Sequence, residues 1–312
     1  MLTIKTPRGE FTEIFRQLYQ TFSSVDLPDT IETDKHLSDY VHEVGRAYGY
    51  KQFNVVGNVK PRVSVKTANK GILVAFSGGK DSLANAIQLQ QQGQRIQFYH
   101  VMGINPSYTN EWKGAKRIAD KMGIGIRFAK VAQSGHTDFL ESPIKNALIL
   151  AMMVDAGLKQ GITQYSLGSA RDETVDTLDS MASLSDAAEL YGLLETYYKQ
   201  YIPGFKLVNT VENEKQSYQT ILSRDADLLR YTVSCMTPYR FQKHLRRTNA
   251  KKYGVALTKG CGLSCFKCCH ELLVLDKAGI TKLPPKARAK CLAEIQAYDK
   301  RADRTHTINR WI

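Results

Sequence analysis

The chain has 312 residues, 43% of them apolar and 23% charged, with a formal charge of +13. That length supplies ample core for one large domain or two ordinary ones, and no apolar run reaches the about 18 residues of a membrane-spanning helix. The start, "MLTIKTPRGEFTEIFRQLYQTF", lacks the basic end and apolar block of a secretory leader, so a cytoplasmic protein is expected; the positive charge predicts an anionic partner, nucleotide or nucleic acid.

Residues 1–70 read as a helical and β extension. "EFTEIFRQLYQTF" spaces its apolar residues as a helix does, while "QFNVVGNV" and "RVSVKT" alternate like a hairpin or a sheet edge. From Gly71 the rhythm becomes strand, loop, helix. "GILVAF" is followed by "DSLANAIQLQQQG", "RIQFYHV" by "TNEWKGAKRIADKMG", "IRFAKV" by "PIKNALILAMMVDAGLKQG", and "TQYSLG" closes the series. Strands alternating with helices of that length predict an α/β fold: a Rossmann-like, mostly parallel sheet with helices on both faces, over residues 71–232. In such a sheet the ligand lies outside the carboxyl ends of the strands. Residues 180–232 look helical, with "YIPGFKL" a strand after a turn. The basic tail, 233–312, contains all six cysteines and is expected to be a small Cys-rich metal-binding region.

"VAFSGGKDSLANAIQL", Val74 to Leu89, places two glycines where a buried strand becomes a helix. A Walker-type loop needs Gly six residues before the Lys and Ser or Thr after it; Val74 and Asp81 stand there instead. Glycines still permit positive φ and the close approach of an anion, and a helix N-terminus adds free N–H groups and partial positive charge. Ser77 and Ser82 add hydroxyls, and Asp81 suits either the helix start or a phosphate-bound Mg²⁺.

"SGGKDS" resembles the Ser-Gly-Gly-x-Asp-Ser signature of the PP-loop ATP pyrophosphatases, a superfamily of the HUP type, and the resemblance spans about residues 71–175. It implies ATP cleaved between the α and β phosphates. It also implies a nucleotide site of Ala75, Phe76, Ser77, Gly78, Gly79, Asp81 and Ser82, with the adenine against Val101, Met102 and Gly103 at the end of the second strand. "LGSARDE" offers Gly168 and Asp172 from a later strand; Asp172 is equally readable as a helix cap. Ser77, Lys80, Asp81 and Asp172 are the candidate catalytic residues.

"KGCGLSCFKCCHE" sets Cys261, Cys265 and Cys268 at chelating spacing. Zn²⁺ takes four such ligands in a tetrahedron. The fourth is Cys235, Cys269 or His270; adjacent residues seldom both face one ion, which speaks against Cys269 beside Cys268, and Cys235 is taken as the fourth with Cys269 and His270 as alternates. Cys291 stands alone as an ordinary thiol. A PP-loop followed by "TVSC" and "CGLSCFKC" is similar to 7-cyano-7-deazaguanine synthase, whose family holds a structural zinc on four such cysteines. This chain departs from that family in the 25 residues between Cys235 and Cys261 and in the segment ahead of the loop. The intervening residues include Arg240, Lys243, Arg247 and Lys251 at helical spacing, interleaved with Tyr239, Phe241 and Tyr253: either a nucleic-acid surface or a solvated helix face.

The resemblance thus implies an AMP- and pyrophosphate-forming ligase that adenylates a carboxylate or amide oxygen of a purine-like, deazaguanine-type substrate before an amine or ammonia attacks. Two alternatives stand beside it. The sulfur-transferring tRNA and DNA enzymes and the phosphoadenylylsulfate reductases share the loop, some with a 4Fe-4S cluster. A nucleotide-binding module without turnover is the other. The acceptor and the oligomeric state, homo-oligomer included, are left open by the sequence.

Overall fold

The computed structural model describes residues 3–23, 27–47, 53–65, 71–104, 111–134, 144–168, 188–211, 214–232, 239–255 and 261–301. Among these no helix is long and apolar enough to cross a membrane.

Five parallel strands form the central sheet: β4 (Ile72–Ala75), β5 (Ile96–Met102), β6 (Ile126–Lys130), β8 (Gln164–Ser166) and β9 (Lys206–Leu207). Their spatial order is β6-β5-β4-β8-β9, every pairing parallel. Numbered along the chain within this sheet, the order is 3-2-1-4-5, so the connections run outward to both sides of β4. Strand β4 is apolar throughout because both its faces are covered. Ile72 and Val74 enter one core and Leu73 the other, as the two-residue period of a strand requires.

On the first face lie α3 (Lys80–Gln91), α4 (Glu111–Met122) and α7 (Glu214–Asp225), with Leu83, Ile87, Ile118 and Ile221 packed against Val74 and Phe98. Helix α3 ends at Gly93, whose φ of +75° suits glycine. On the second face lie α1 (Glu10–Thr21), α2 (Ser38–Ala47), α5 (Lys145–Leu158) and α6 (Ala188–Lys199). Helix α5 is apolar nearly all round because it sits between the sheet and α1.

The N-terminal segment is therefore part of the second core. Helix α1 presents Phe11, Ile14, Phe15, Leu18 and Tyr19 as one stripe, and its start is held from across the core. Gly9 at the N-cap has no side chain to offer. Asp155 of α5 accepts instead from the Thr12 amide at 2.7 Å, the Thr12 hydroxyl at 2.6 Å and the Phe11 amide at 3.3 Å. A Cβ on Gly9 would fall 2.0 Å from that carboxylate, so the contact needs glycine. Burial is the main influence on Asp155 and pushes its pKa up, against the hydrogen bonds from Thr12 and Phe11.

Two small pairings flank the sheet. Strand β2 (Thr30–Asp34) pairs in parallel with β3 (Asn54–Val59), and β1 (Thr3–Lys5) runs antiparallel to β7 (Ala132–Ser134). Of the hairpin or sheet edge expected from "QFNVVGNV" and "RVSVKT", Asn54–Val59 is the strand β3, and a hairpin between the two is absent among the described residues. Residues 61–65 form no strand, and the Arg62 amide turns to Glu10 Oε2 at 3.2 Å.

The tail contains α8 (Tyr239–Tyr253), α9 (Phe266–Lys277) and α10 (Pro285–Arg301). Leu263, Cys269, Leu273, Leu283, Ala287, Cys291 and Ile295 make a core of its own, while Leu275 joins the first core of the sheet.

Candidate functional site

Strand β4 delivers Phe76 to the carboxyl edge with its position fixed on three sides. Its ring stacks on Phe98 with centroids 3.9 Å apart. Its amide donates to the Tyr99 carbonyl at 2.9 Å, and its carbonyl lies 2.7 Å from Nδ1 of the buried His100. Burial lowers the pKa of His100 below the usual imidazole range, so the ring is neutral at pH 7 and Nδ1–H donates to that carbonyl. Phe76 thus has both backbone groups engaged and anchors the turn from behind.

The chain reverses immediately beyond it. Ser77 is exposed and its Oγ accepts from the Gly79 amide at 3.2 Å. Gly78 adopts φ +83°, a left-handed conformation that glycine meets without strain. Gly79 is the extended N-cap of α3; its carbonyl takes the Leu83 amide at 3.1 Å and the Ser82 hydroxyl at 3.1 Å. The first-turn N–H groups of α3 therefore open toward the carboxyl edge, the arrangement that favours an anion.

Lys80 and Asp81 form the charged part of the turn. Lys80 is 5% exposed. Its Nζ donates to Asp81 Oδ2 at 2.7 Å and stands 5.8 Å from the centre of the Tyr218 ring. Asp81 Oδ1 accepts from the buried Ser217 hydroxyl at 2.6 Å. Helix α7 thus supplies a wall to the turn: Ser217 orients the carboxylate and Tyr218 lies beneath the ammonium.

The opposite wall is the end of β8. Gly168, at φ +69°, approaches so closely that a Cβ there would lie 2.7 Å from Ser82 Cβ, 2.9 Å from Ser82 Cα and 3.1 Å from the Ala75 carbonyl oxygen. A polar network holds this junction. Asn85 donates to Ser166 Oγ at 2.5 Å, Ser166 donates to Asn209 Oδ1 at 3.0 Å, and the Thr210 amide and hydroxyl reach Asn85 Oδ1 at 2.8 and 2.7 Å. Val101, Met102 and Gly103 end β5 on the same edge, partly exposed at the first two and exposed at the third. Gly103, at φ +84°, also leaves no room for a Cβ, which would meet the Val131 carbonyl oxygen at 2.1 Å.

The structure therefore gathers Ala75, Ser77, Gly78, Gly79, Lys80, Asp81, Ser82 and Gly168 at one place. Asp172 lies outside the described residues. Ser217, Tyr218, Asn85 and Ser166 were not singled out in the sequence. Ser166, Ser217 and Tyr218 come from distant positions, Asn85 lies one turn beyond Ser82 in α3, and none of the four belongs to a motif.

The cysteines form a second site. The Sγ atoms of Cys261, Cys265 and Cys268 lie within 4.8 Å of one another. Two thiolates on one tetrahedral Zn²⁺, each at about 2.3 Å, stand about 3.8 Å apart, so the group can hold a metal ion. Gly262, at φ +72°, turns the chain between the first two, and Cys265 stands at the N-cap of α9. Helix α8 braces the loop: Leu245 packs on Cys261 and Cys268, and Asn249 Nδ2 donates to the Cys261 carbonyl at 3.2 Å and to Ser264 Oγ at 2.7 Å.

The two alternative ligands point elsewhere. Cys269 faces Cys291 in the apolar core of the tail, where their mutual hydrogen bond and burial raise its pKa well above the usual thiol range. His270 packs edge-on against Tyr218, centroids 5.4 Å apart. Cys235 lies outside the described residues. No protein-family model matches the chain, and no curated protein does.

Proposed function

We propose that the chain is a PP-loop ATP pyrophosphatase that adenylates an oxygen of a purine-like acceptor. The observation that supports this most is the position of the Ser77–Ser82 turn. It leaves the central strand of a parallel sheet at the carboxyl edge, beside β8, where the connections diverge to either side, and ligands of such sheets bind at that point.

In this mechanism the first-turn amides of α3 and the Gly78–Gly79 backbone hold the β and γ phosphates. Lys80 offsets their charge from below, and Ser77 reaches them from the exposed side. A carboxylate or amide oxygen of the acceptor attacks the α phosphorus. An oxygen–phosphorus bond forms, the bond from the α phosphorus to the bridging oxygen breaks, and pyrophosphate leaves. An amine or ammonia then attacks the activated carbon, the carbon–oxygen bond breaks, AMP departs and the nitrogen loses a proton to solvent. Val101 to Gly103 form the edge for the adenine. The turn's contribution is placement and charge stabilisation that need no reorganisation during reaction.

Asp81 fits a phosphate-bound Mg²⁺. Each of its oxygens has one protein partner, and a carboxylate keeps further acceptor sites for a cation. Such an ion would screen the phosphates. Cys261, Cys265 and Cys268 would hold a single Zn²⁺, with Cys235 as the proposed fourth ligand, and the ion would cross-link the tail. Their close sulfur spacing favours one ion over the wider thiolate frame of a 4Fe-4S cluster, and with it adenylation over sulfur transfer.

The test is incubation of the metal-loaded chain with ATP, Mg²⁺ and carboxylated deazapurine acceptors, resolving AMP plus pyrophosphate from ADP plus phosphate. AMP and pyrophosphate are expected, with turnover abolished in Asp81→Ala. Ser217→Ala, which removes a hydrogen bond to a charged group worth about 1.5–3 kcal/mol, should lower kcat about 10- to 150-fold. Release of ADP, or full activity in Asp81→Ala, would refute the assignment.

A further inference from the structure

Helix α8 contains Arg240, Lys243, Arg246, Arg247, Lys251 and Lys252 and no acidic residue. Other helices of this chain treat their cations differently. Arg16 is paired with Glu13, Arg46 with Glu43, Lys116 with Asp120, Lys199 with Glu195 and Lys290 with Glu294, each within one turn. Such pairing is impossible within α8, where Lys243, Arg247 and Lys251 follow one another at four-residue spacing. Like charges so placed destabilise a helix, so folding alone gives no reason for them.

The packing fixes which way this row points. Leu245 and Asn249 on the inner face grip the cysteine loop, and Gln242 beside them is buried. Lys243, Arg247 and Lys251 are exposed on the other side, successive members rising about 6 Å along the axis. Phe241, two residues before Lys243 and therefore on another side of the helix, is not part of the row. Exposed cations in line, on a helix with no acid, match what the backbone of a nucleic-acid strand requires: positive charges spaced along its phosphates.

We propose that the outer face of α8 is a docking surface for single-stranded nucleic acid, with Lys243, Arg247 and Lys251 on successive phosphates. The cysteine loop serves as the rigid platform that turns this face outward. The inference does not depend on what binds the Ser77–Ser82 turn.

Three phosphates neutralised on a single strand give a slope of about −2 for log affinity against log salt, a loss of about 20-fold between about 50 and 200 mM. The measurement is fluorescence anisotropy of a labelled single-stranded oligonucleotide with the full, metal-loaded chain across that range. The triple variant Lys243→Gln, Arg247→Gln, Lys251→Gln should flatten the slope by about 2. Should the triple variant fold poorly, each single change is expected to reduce the slope by about 0.7. Wild-type affinity and slope in these variants would overturn the proposal. So would equally tight binding to phosphatidylserine vesicles that the same substitutions abolish.

Discussion

Gly168→Ala probes the contact on which the candidate phosphate site depends. Two costs are expected at that position. A non-glycine residue in the left-handed region loses about 1–2 kcal/mol, and Gly168 sits at φ +69°. The second cost is steric. The new Cβ would lie 2.7 and 2.9 Å from Ser82 Cβ and Cα, both closer than side chains tolerate and one of them backbone. Ser82 cannot retreat easily, because it lies in the first turn of α3, which Asn85 ties back to Ser166. Overpacking of this kind costs about 1–3 kcal/mol, for a sum of about 2–5 kcal/mol.

Gly93→Ala isolates the first cost from the second. Gly93 has φ +75° and nothing within 4 Å of its ideal Cβ, so it should lose only the conformational part, about 1–2 kcal/mol. Urea unfolding of wild type and both variants, fitted with a common m-value, measures the difference directly. Gly168→Ala should be the less stable by about 1–3 kcal/mol and should also lose ATP turnover while still folded, whereas Gly93→Ala keeps its turnover. Equal stabilities would mean that the end of β8 does not press on the turn, and the wall built from it would be wrong.

Two further outcomes follow from other contacts. Removing the metal with a chelator, or changing Cys265→Ser, should loosen the tail and abolish stoichiometric metal retention; Cys291→Ala should retain the ion, because Cys291 packs with Cys269 away from the three clustered thiols. Metal analysis of the purified variants decides this, and loss of the ion in Cys291→Ala would contradict the assigned ligands. For His100, whose folded pKa is below its unfolded value, the neutral form's stabilisation is complete above about pH 6.5 and is lost as pH falls through the folded value. Urea midpoints should therefore drop more between about pH 7 and pH 5 in wild type than in His100→Gln; parallel profiles would refute that role.

What was legible in the sequence was mostly local. The strand and helix rhythm from Gly71 onward can be read because β4 is apolar on both faces and because Gly93 and Gly123 stop their helices at positive φ. The cysteine group is legible for the same reason, its three sulfurs lying within eight positions of one another. Strand β2 was missed because "TIETD" has two acids in five residues, and only its pairing with β3 makes it a strand. "RVSVKT" misled in the other direction: alternation suggested a strand, but the backbone after Pro61 finds its partner in a side chain of α1. Ser217 and Asn85 lack any local signature, since each acquires its role only when a segment from more than 80 positions away packs against it.

Those long-range contacts also connect the two candidate sites. Cys265 caps helix α9, which carries Cys268 among the clustered sulfurs. Two residues further on, His270 lies edge-on against Tyr218, whose ring is beneath Lys80; its neighbour Ser217 orients Asp81. Glu271 reaches the buried Thr232 hydroxyl just after the turn that follows α7. Each link is a packed ring or a short hydrogen bond between elements that have little room to adjust. Loss of a metal ion from the cysteines should therefore not be confined to the tail. The wall that orients Asp81 depends on the same helix, so under the proposed function chelation is expected to weaken nucleotide binding without either site touching the other.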